Sequence, residues 1–164
     1  MTLTVAIAIK VQLLLLAANG SPVLAKRLFG ERWTYPLDCG LVLFDGYRLL
    51  GASKTVRGLV ASLLVCAAVA PLLGFSWVTG AIFGLASMTG DALSSFIKRR
   101  INIPPSGMAF GLDQIPEALL PILLVRQQLA LDWLSVVVLV LLFIVGELLL
   151  SRVMYHLGVR DRPY

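Results

Sequence analysis

The feature that most constrains this chain is its division into five apolar runs separated by short, basic polar segments. The runs cover residues 3–18, 59–73, 78–97, 114–131 and 134–155. A helix crossing the hydrocarbon core of a bilayer needs roughly 20 apolar residues. Five such helices account for about 100 residues, leaving loops too short for a separate soluble catalytic domain. The expected fold is therefore an all-α integral membrane protein of about five transmembrane helices with two polar cytoplasmic loops. With no internal repeat and no long linker, residues 1–164 read as one domain.

Composition closes the other routes. Of the 164 residues, 59% are hydrophobic and 14% charged, against about 45–50% and 25% in a soluble domain. Such a chain cannot cover its apolar side chains with its own polar surface, which excludes a soluble enzyme, a disordered chain and a collagen-like one. The first run resembles a secretory leader at its LLLLAANGS end, but it lacks a basic start and carries Lys10 inside it. It reads as a retained span ending at the break Asn19-Gly20-Ser21-Pro22, with Val23-Leu24-Ala25 continuing to the interface.

The net charge of +5 is a sidedness signal rather than a nucleic-acid footprint, so no nucleic-acid partner is expected. Lys26, Arg27, Arg32, Arg48, Lys54 and Arg57 precede the second run, and Lys98-Arg99-Arg100 follow the third. With Arg152, Arg160 and Arg162, 12 of the 14 Lys and Arg residues fall on one side. The positive-inside rule then puts the N-terminus outside, and both polar loops and the C-terminus in the cytoplasm, in a multi-pass protein of the cell membrane. Cys39 and Cys66 form no disulfide framework or zinc motif, and one histidine, His156, builds no metal site alone.

Ionisable groups in or beside spans are costly and mark function. Asp91 follows Gly90, and at helical spacing it shares a face with Ser95 and Lys98 near the cytoplasmic end of the third span. Pairing with a lysine would serve insertion alone. Asp113 and Glu117 stand four residues apart, on one turn at the start of the fourth span. Their bland alternative is helix capping by Asp113 at the positive end of the dipole. Lys54, Thr55, Arg57 and Gly58 precede a helix, where cations and free N–H groups grip phosphate, although the spacing is not that of a Walker A loop. Carboxylates and cations at one membrane face suit Mg²⁺ with a polyphosphate.

These residues carry a resemblance. Gly90-Asp91, Ser95-Phe96-Ile97-Lys98-Arg99-Arg100 and Leu112-Asp113-Gln114 resemble the signature of the CDP-archaeol synthases. Asn19-Gly20-Ser21-Pro22, Asp38, Phe44-Asp45-Gly46, Arg48, Gly51 and Ser53-Lys54-Thr55 with Arg57-Gly58 fit the same pattern. The resemblance implies five spans and a Mg²⁺-dependent reaction of CTP with a lipid phosphate, giving a CDP-lipid and pyrophosphate. In that family the lipid is 2,3-bis-O-geranylgeranyl-glycerol 1-phosphate. Carried over, Asp91, Asp113 and Lys98 are catalytic, and Asp91, Asp113 and Glu117 are the metal ligands. Lys54, Thr55, Arg57, Lys98 and Arg99 face the nucleotide phosphates, and Asn19, Ser95 and Gln114 hydrogen-bond nucleotide or head group. The chain departs where the family reads DQxD: Pro116 takes the place of the second aspartate and Glu117 follows it.

Three alternatives stand beside this reading. One is a synthase acting on phosphatidic acid, another an inactive lipid-binding relative. The third is a small ion transporter using Asp91, Asp113 and Glu147. A homo-oligomer is compatible with the chain.

Overall fold

The computed structural model describes residues 3–104 and 107–158; Arg160 and Arg162, counted above on the basic side, lie outside them. Five helices follow in order: α1 (Val5–Phe29), α2 (Val56–Leu72), α3 (Trp77–Arg100), α4 (Gln114–Val125) and α5 (Trp133–His156). Four of them begin where a short polar side chain accepts a hydrogen bond from an otherwise orphaned amide. Thr4 accepts from Ile7, Thr55 from Gly58, Ser76 from Thr79 and Asp132 from Ser135. Among the described residues there is no strand, only two isolated bridges within the first loop, Pro36 to Thr55 and Val42 to Arg48.

Helix α2 starts at Val56, so Arg57 and Gly58 lie in its first turn rather than before it, and α3 runs on through Lys98 and Arg99 to Arg100; two further bounds differ more. The Asn19–Pro22 break does not end the first helix: α1 runs through it to Phe29. Pro22 has no N–H for the Ala18 carbonyl, but the Ser21 hydroxyl donates to that carbonyl instead at 3.4 Å. A hydroxyl replacing a lost backbone donor lets proline sit inside a membrane helix. The fourth helix stops at Val125 rather than Leu131, because Arg126 turns back. Its Nε donates to the Leu131 carbonyl at 3.1 Å and its guanidinium stacks on the Trp133 ring at 4.0 Å. By length and apolarity α1, α3 and α5 are able to cross a membrane, whereas α2 and α4 are shorter, at 17 and 12 residues.

Helix α3 is the hub, packing on α1, α2 and α4, while α5 rests on α4 and α1. Membrane helices associate by close packing of small residues rather than by apolar burial, and the buried face of α3 is built of them: Gly80, Gly84, Ser87, Gly90 and Ser94. A β-carbon at Gly80 or Gly84 would overlap the Cys66 or Ser62 carbonyl of α2. Phe83, Leu14, Leu15, Ile122 and Leu139 fill the centre. Outward, Leu64, Leu85, Leu93, Val145 and Leu149 stay exposed, as side chains facing lipid do.

This arrangement gathers one end of every helix. Arg57 Nη1, in the first turn of α2, donates to the Gly30 and Arg32 carbonyls beyond α1, at 2.7 and 2.6 Å. Arg100, closing α3, meets Asp45 at 3.1 Å and the Arg48 carbonyl at 2.8 Å. Arg27 reaches the Gly158 carbonyl past α5 at 3.0 Å. Lys10 lies elsewhere, over the Phe75 ring in the α2–α3 turn. The basic residues that are far apart in sequence thus share one rim of the bundle.

Candidate active site

The rim surrounds a cavity of about 940 Å³. Asn19 of α1, Lys54, Thr55 and Arg57 at the start of α2, Asp91 of α3 and Glu117 of α4 all line it. Six of the residues singled out from sequence therefore meet in one place. Lys26 and Arg27 add cations from the last turn of α1.

The first loop frames the cavity because it is folded around Asp38. That carboxylate is buried and accepts hydrogen bonds from the Gly40, Leu50 and Gly51 amides and from Arg48 Nη2, the last at 2.5 Å. Burial pushes its pKa up, but Arg48 and the three amides outweigh burial and hold it well below the usual carboxylate range. Leu37 and Lys54 are tied by a backbone bond of 2.8 Å, so the ordered loop delivers Lys54 to the cavity. Sequence inspection placed Asp38 in a pattern without a role; its role is to fold this loop.

Within the cavity Lys54 Nζ donates to both carboxylate oxygens of Asp91, at 2.5 and 2.6 Å. Arg57 keeps Nε buried with no acceptor among the described residues. Thr55 Oγ1 accepts from the Gly58 amide at 3.1 Å, which caps α2 and leaves its O–H free to donate. Asn19 donates to the Leu15 carbonyl at 3.1 Å and accepts from the Ser87 hydroxyl at 3.2 Å, which locks its amide at the wall.

Glu117 reaches the cavity because α3 and α4 nearly touch. A β-carbon at Gly90 would overlap the Pro116 carbonyl and lie 2.6 Å from the Glu117 nitrogen. Gly90 thus serves helix approach, and it brings the helices that carry Asp91 and Glu117 together. Glu117 is buried, at 7% exposure.

The remaining expected residues form a second group that does not line the cavity. Lys98 pairs with Asp113 at 2.5 Å and donates to the Gly107 carbonyl at 3.0 Å. Arg99 Nη2 donates to the Pro104 carbonyl at 3.0 Å. Asp113 accepts from the Ala109 amide, and Gln114 from the Gly111 amide, both at 2.9 Å. Asp113 makes no cap bond to α4, so the simple capping alternative fails. Ser95 is buried nearby on α3. These side chains tie the α3–α4 loop to both helices, and that is their visible work.

The three-carboxylate set Asp91, Asp113 and Glu117 is accordingly not assembled: among the described residues no group of three His, Cys, Asp or Glu is placed to hold one ion. Asp113 turns to Lys98 instead. The donor chemistry still suits a hard divalent cation, since Asp91 and Glu117 offer oxygen to one cavity and Mg²⁺ takes only one or two carboxylates beside substrate phosphate. The Lys54 ammonium already neutralises the Asp91 carboxylate.

Comparison with known proteins gives the context. A CDP-archaeol synthase (CarS-like) family model matches residues 4–164. A CDP-archaeol synthase of Thermofilum pendens is 35% identical over 153 residues, covering 90% of this chain and 75% of the relative. One of Sulfolobus acidocaldarius is 34% identical over 155 residues, covering 91% of each. A solved structure of an intramembrane enzyme for archaeal membrane lipids biosynthesis superposes with a TM-score of 0.70 at 30% identity, covering 88% of this chain and 94% of its own. The chain belongs to the CDP-archaeol synthase family, and it is a membrane-embedded cytidylyltransferase.

Proposed function

We propose that the cavity transfers CMP from CTP to 2,3-bis-O-geranylgeranyl-glycerol 1-phosphate, releasing pyrophosphate and leaving CDP-archaeol in the membrane. The observation that carries this reading is the meeting of Lys54 and Arg57 with Asp91 and Glu117 in one cavity at the basic end of a membrane bundle. Placing that end in the cytoplasm of the cell membrane accords with the positive-inside rule and with access to CTP.

The nucleophile needs little activation. A phosphate monoester has its second pKa near 6 and is mostly dianionic at pH 7. Its oxygen attacks the α-phosphorus of CTP, a new P–O bond forms, and the bond to the β-phosphate oxygen breaks with its electron pair going to pyrophosphate. The barrier is the approach of two polyanions, so catalysis is positioning and charge neutralisation. Lys54 exchanges Asp91 for phosphate oxygen, and the Arg57 guanidinium adds positive charge at the same wall. Asp91 and Glu117 would hold Mg²⁺, which when bound neutralises charge on the triphosphate. Lys98, Arg99, Asp113 and Gln114 fix the α3–α4 loop and, through α4, the position of Glu117. Asn19, which lines the cavity, would face the lipid head group.

The test is incubation of purified protein with radiolabelled CTP, Mg²⁺ and either the ether lipid phosphate or phosphatidic acid. A labelled CDP-lipid from the ether substrate is the expected result. Product from phosphatidic acid alone would change the lipid, and product from neither would overturn the reading.

A further inference from the structure

A second cavity, of about 290 Å³, lies between α1 and α5. Its walls are mainly apolar, with Leu16 and Val23 from α1 and Phe143, Leu150 and Met154 from α5. Glu147 and Ser151 are the polar members of the α5 wall. It exists because both helices carry glycine at the same level: a β-carbon at Gly20 or at Gly146 meets nothing within 4 Å. The small residues that draw α2, α3 and α4 together find no partner backbone here. They leave a slot instead.

The slot adjoins the polar cavity and shares part of its wall. Asn19 and Val23 line both spaces, Asn19 with its amide fixed at the boundary. A lipid whose phosphate sits among Lys54, Arg57 and Asp91 cannot lay hydrocarbon along those charged walls without a large desolvation cost. From the junction at Asn19 the apolar path leads between α1 and α5.

We infer that this slot seats one hydrocarbon chain of the lipid phosphate substrate and is the side door through which it enters from the bilayer. The inference rests on the function proposed above. At roughly 30 Å³ for each water-sized group, the volume accepts about ten methylene-sized groups. It therefore holds part of one long chain, and the second chain stays in bulk lipid. Chain selectivity then resides in Gly20 and Gly146, which line the slot and not the polar cavity.

The test uses the full chain in nanodiscs with an isoprenoid glycerol phosphate bearing a diazirine in one chain. Photolysis should label α1 and α5 at residues such as Val23, Phe143 or Met154, and unlabelled lipid phosphate should compete. Label confined to other helices, or competition by bulk phospholipid alone, would overturn the inference. In parallel, Gly146→Leu fills the slot from a position with room for the side chain. Its kcat/KM for the long-chain lipid should fall at least about tenfold, since even one methylene too many in an apolar pocket has that effect. The KM for CTP should stay within about twofold. An unchanged kcat/KM in an active protein sinks the slot and leaves the reaction standing. A wild-type protein that makes no CDP-lipid from any lipid phosphate sinks the reaction itself. Should Gly146→Leu fail to fold, the labelling of the wild-type protein decides.

Discussion

Lys54 and Asp91 stand 37 residues apart in the chain, yet the Lys54 ammonium bridges both oxygens of the Asp91 carboxylate. The pair joins the end of the first loop to the middle of α3 and closes one wall of the cavity. Under the proposed function it occupies the groups that would meet a metal–nucleotide complex, so binding would exchange one ion pair for two.

That exchange predicts the behaviour of Lys54→Met. Removing a charge-assisted contact to the reacting phosphates costs a rate factor of roughly 10²–10³, so kcat/KM for CTP should fall by about that much. Freed of its ammonium, Asp91 should bind Mn²⁺ more tightly without nucleotide, as read by electron paramagnetic resonance. Near-wild-type activity together with unchanged Mn²⁺ affinity would show that the pair is only structural.

Glu117 provides the second contrast. If it carries the carboxylate that Pro116 displaced, Glu117→Ala should lower the rate roughly 10²-fold, equivalent to about 2.7 kcal/mol of barrier. Glu117→Asp should retain part of the rate, and excess Mg²⁺ should partly rescue the alanine variant. A carboxylate serving only the α4 dipole is worth about 0.3–1 kcal/mol of stability, which leaves the rate near normal.

Gly90→Ala tests the helix contact that brings Glu117 to Asp91. Its β-carbon would overlap the Pro116 carbonyl, a backbone atom that cannot swing aside. Overpacking of this kind typically costs about 1–3 kcal/mol, so the thermal midpoint and the activity should both drop. An unchanged melting curve would mean that α3 and α4 are not held at this distance.

Asp38 sets the pH dependence of the first loop. Its native pKa lies below the usual carboxylate range, whereas an unfolded Asp titrates near ~3.9. Its contribution is therefore complete above that unfolded value and disappears as pH falls through the depressed native one. Hydrogen exchange at the Leu50 and Gly51 amides, corrected for the intrinsic rate, should show constant protection from pH 8 to about 5. Asp38→Asn should lose about 1–3 kcal/mol of that local protection at pH 7. Equal protection in wild type and variant would contradict the role.

The orientation is open to labelling. Cys39 is exposed in the first loop and Cys66 is buried between helices. A membrane-impermeant maleimide should label Cys39 in inverted vesicles and spare it in right-side-out ones. Labelling from the outside only would reverse the orientation and remove the site from cytosolic CTP.

Much of this protein was legible in its sequence because the bilayer leaves few options for a backbone. Apolar runs of this length must be helical, since each backbone polar group has to be satisfied within its own segment. The caps Thr55, Ser76 and Asp132 start helices through purely local chemistry. The residue types of the site were legible too, because a charge beside a span is too costly to be idle. Their partners were not. Asp91 shares a helix face with Lys98, yet it pairs with Lys54, while Lys98 takes Asp113. Sequence spacing gives the direction of a side chain along its own helix, but the bundle decides what stands opposite. Here the small-residue face of α3 draws α4 close at Gly90, and Glu117 lines the cavity while Asp113 does not. The course of α1 through Pro22 and the slot between Gly20 and Gly146 also belong to the tertiary structure. The first depends on one hydroxyl at hydrogen-bond distance, and the second on two helices that do not close on each other.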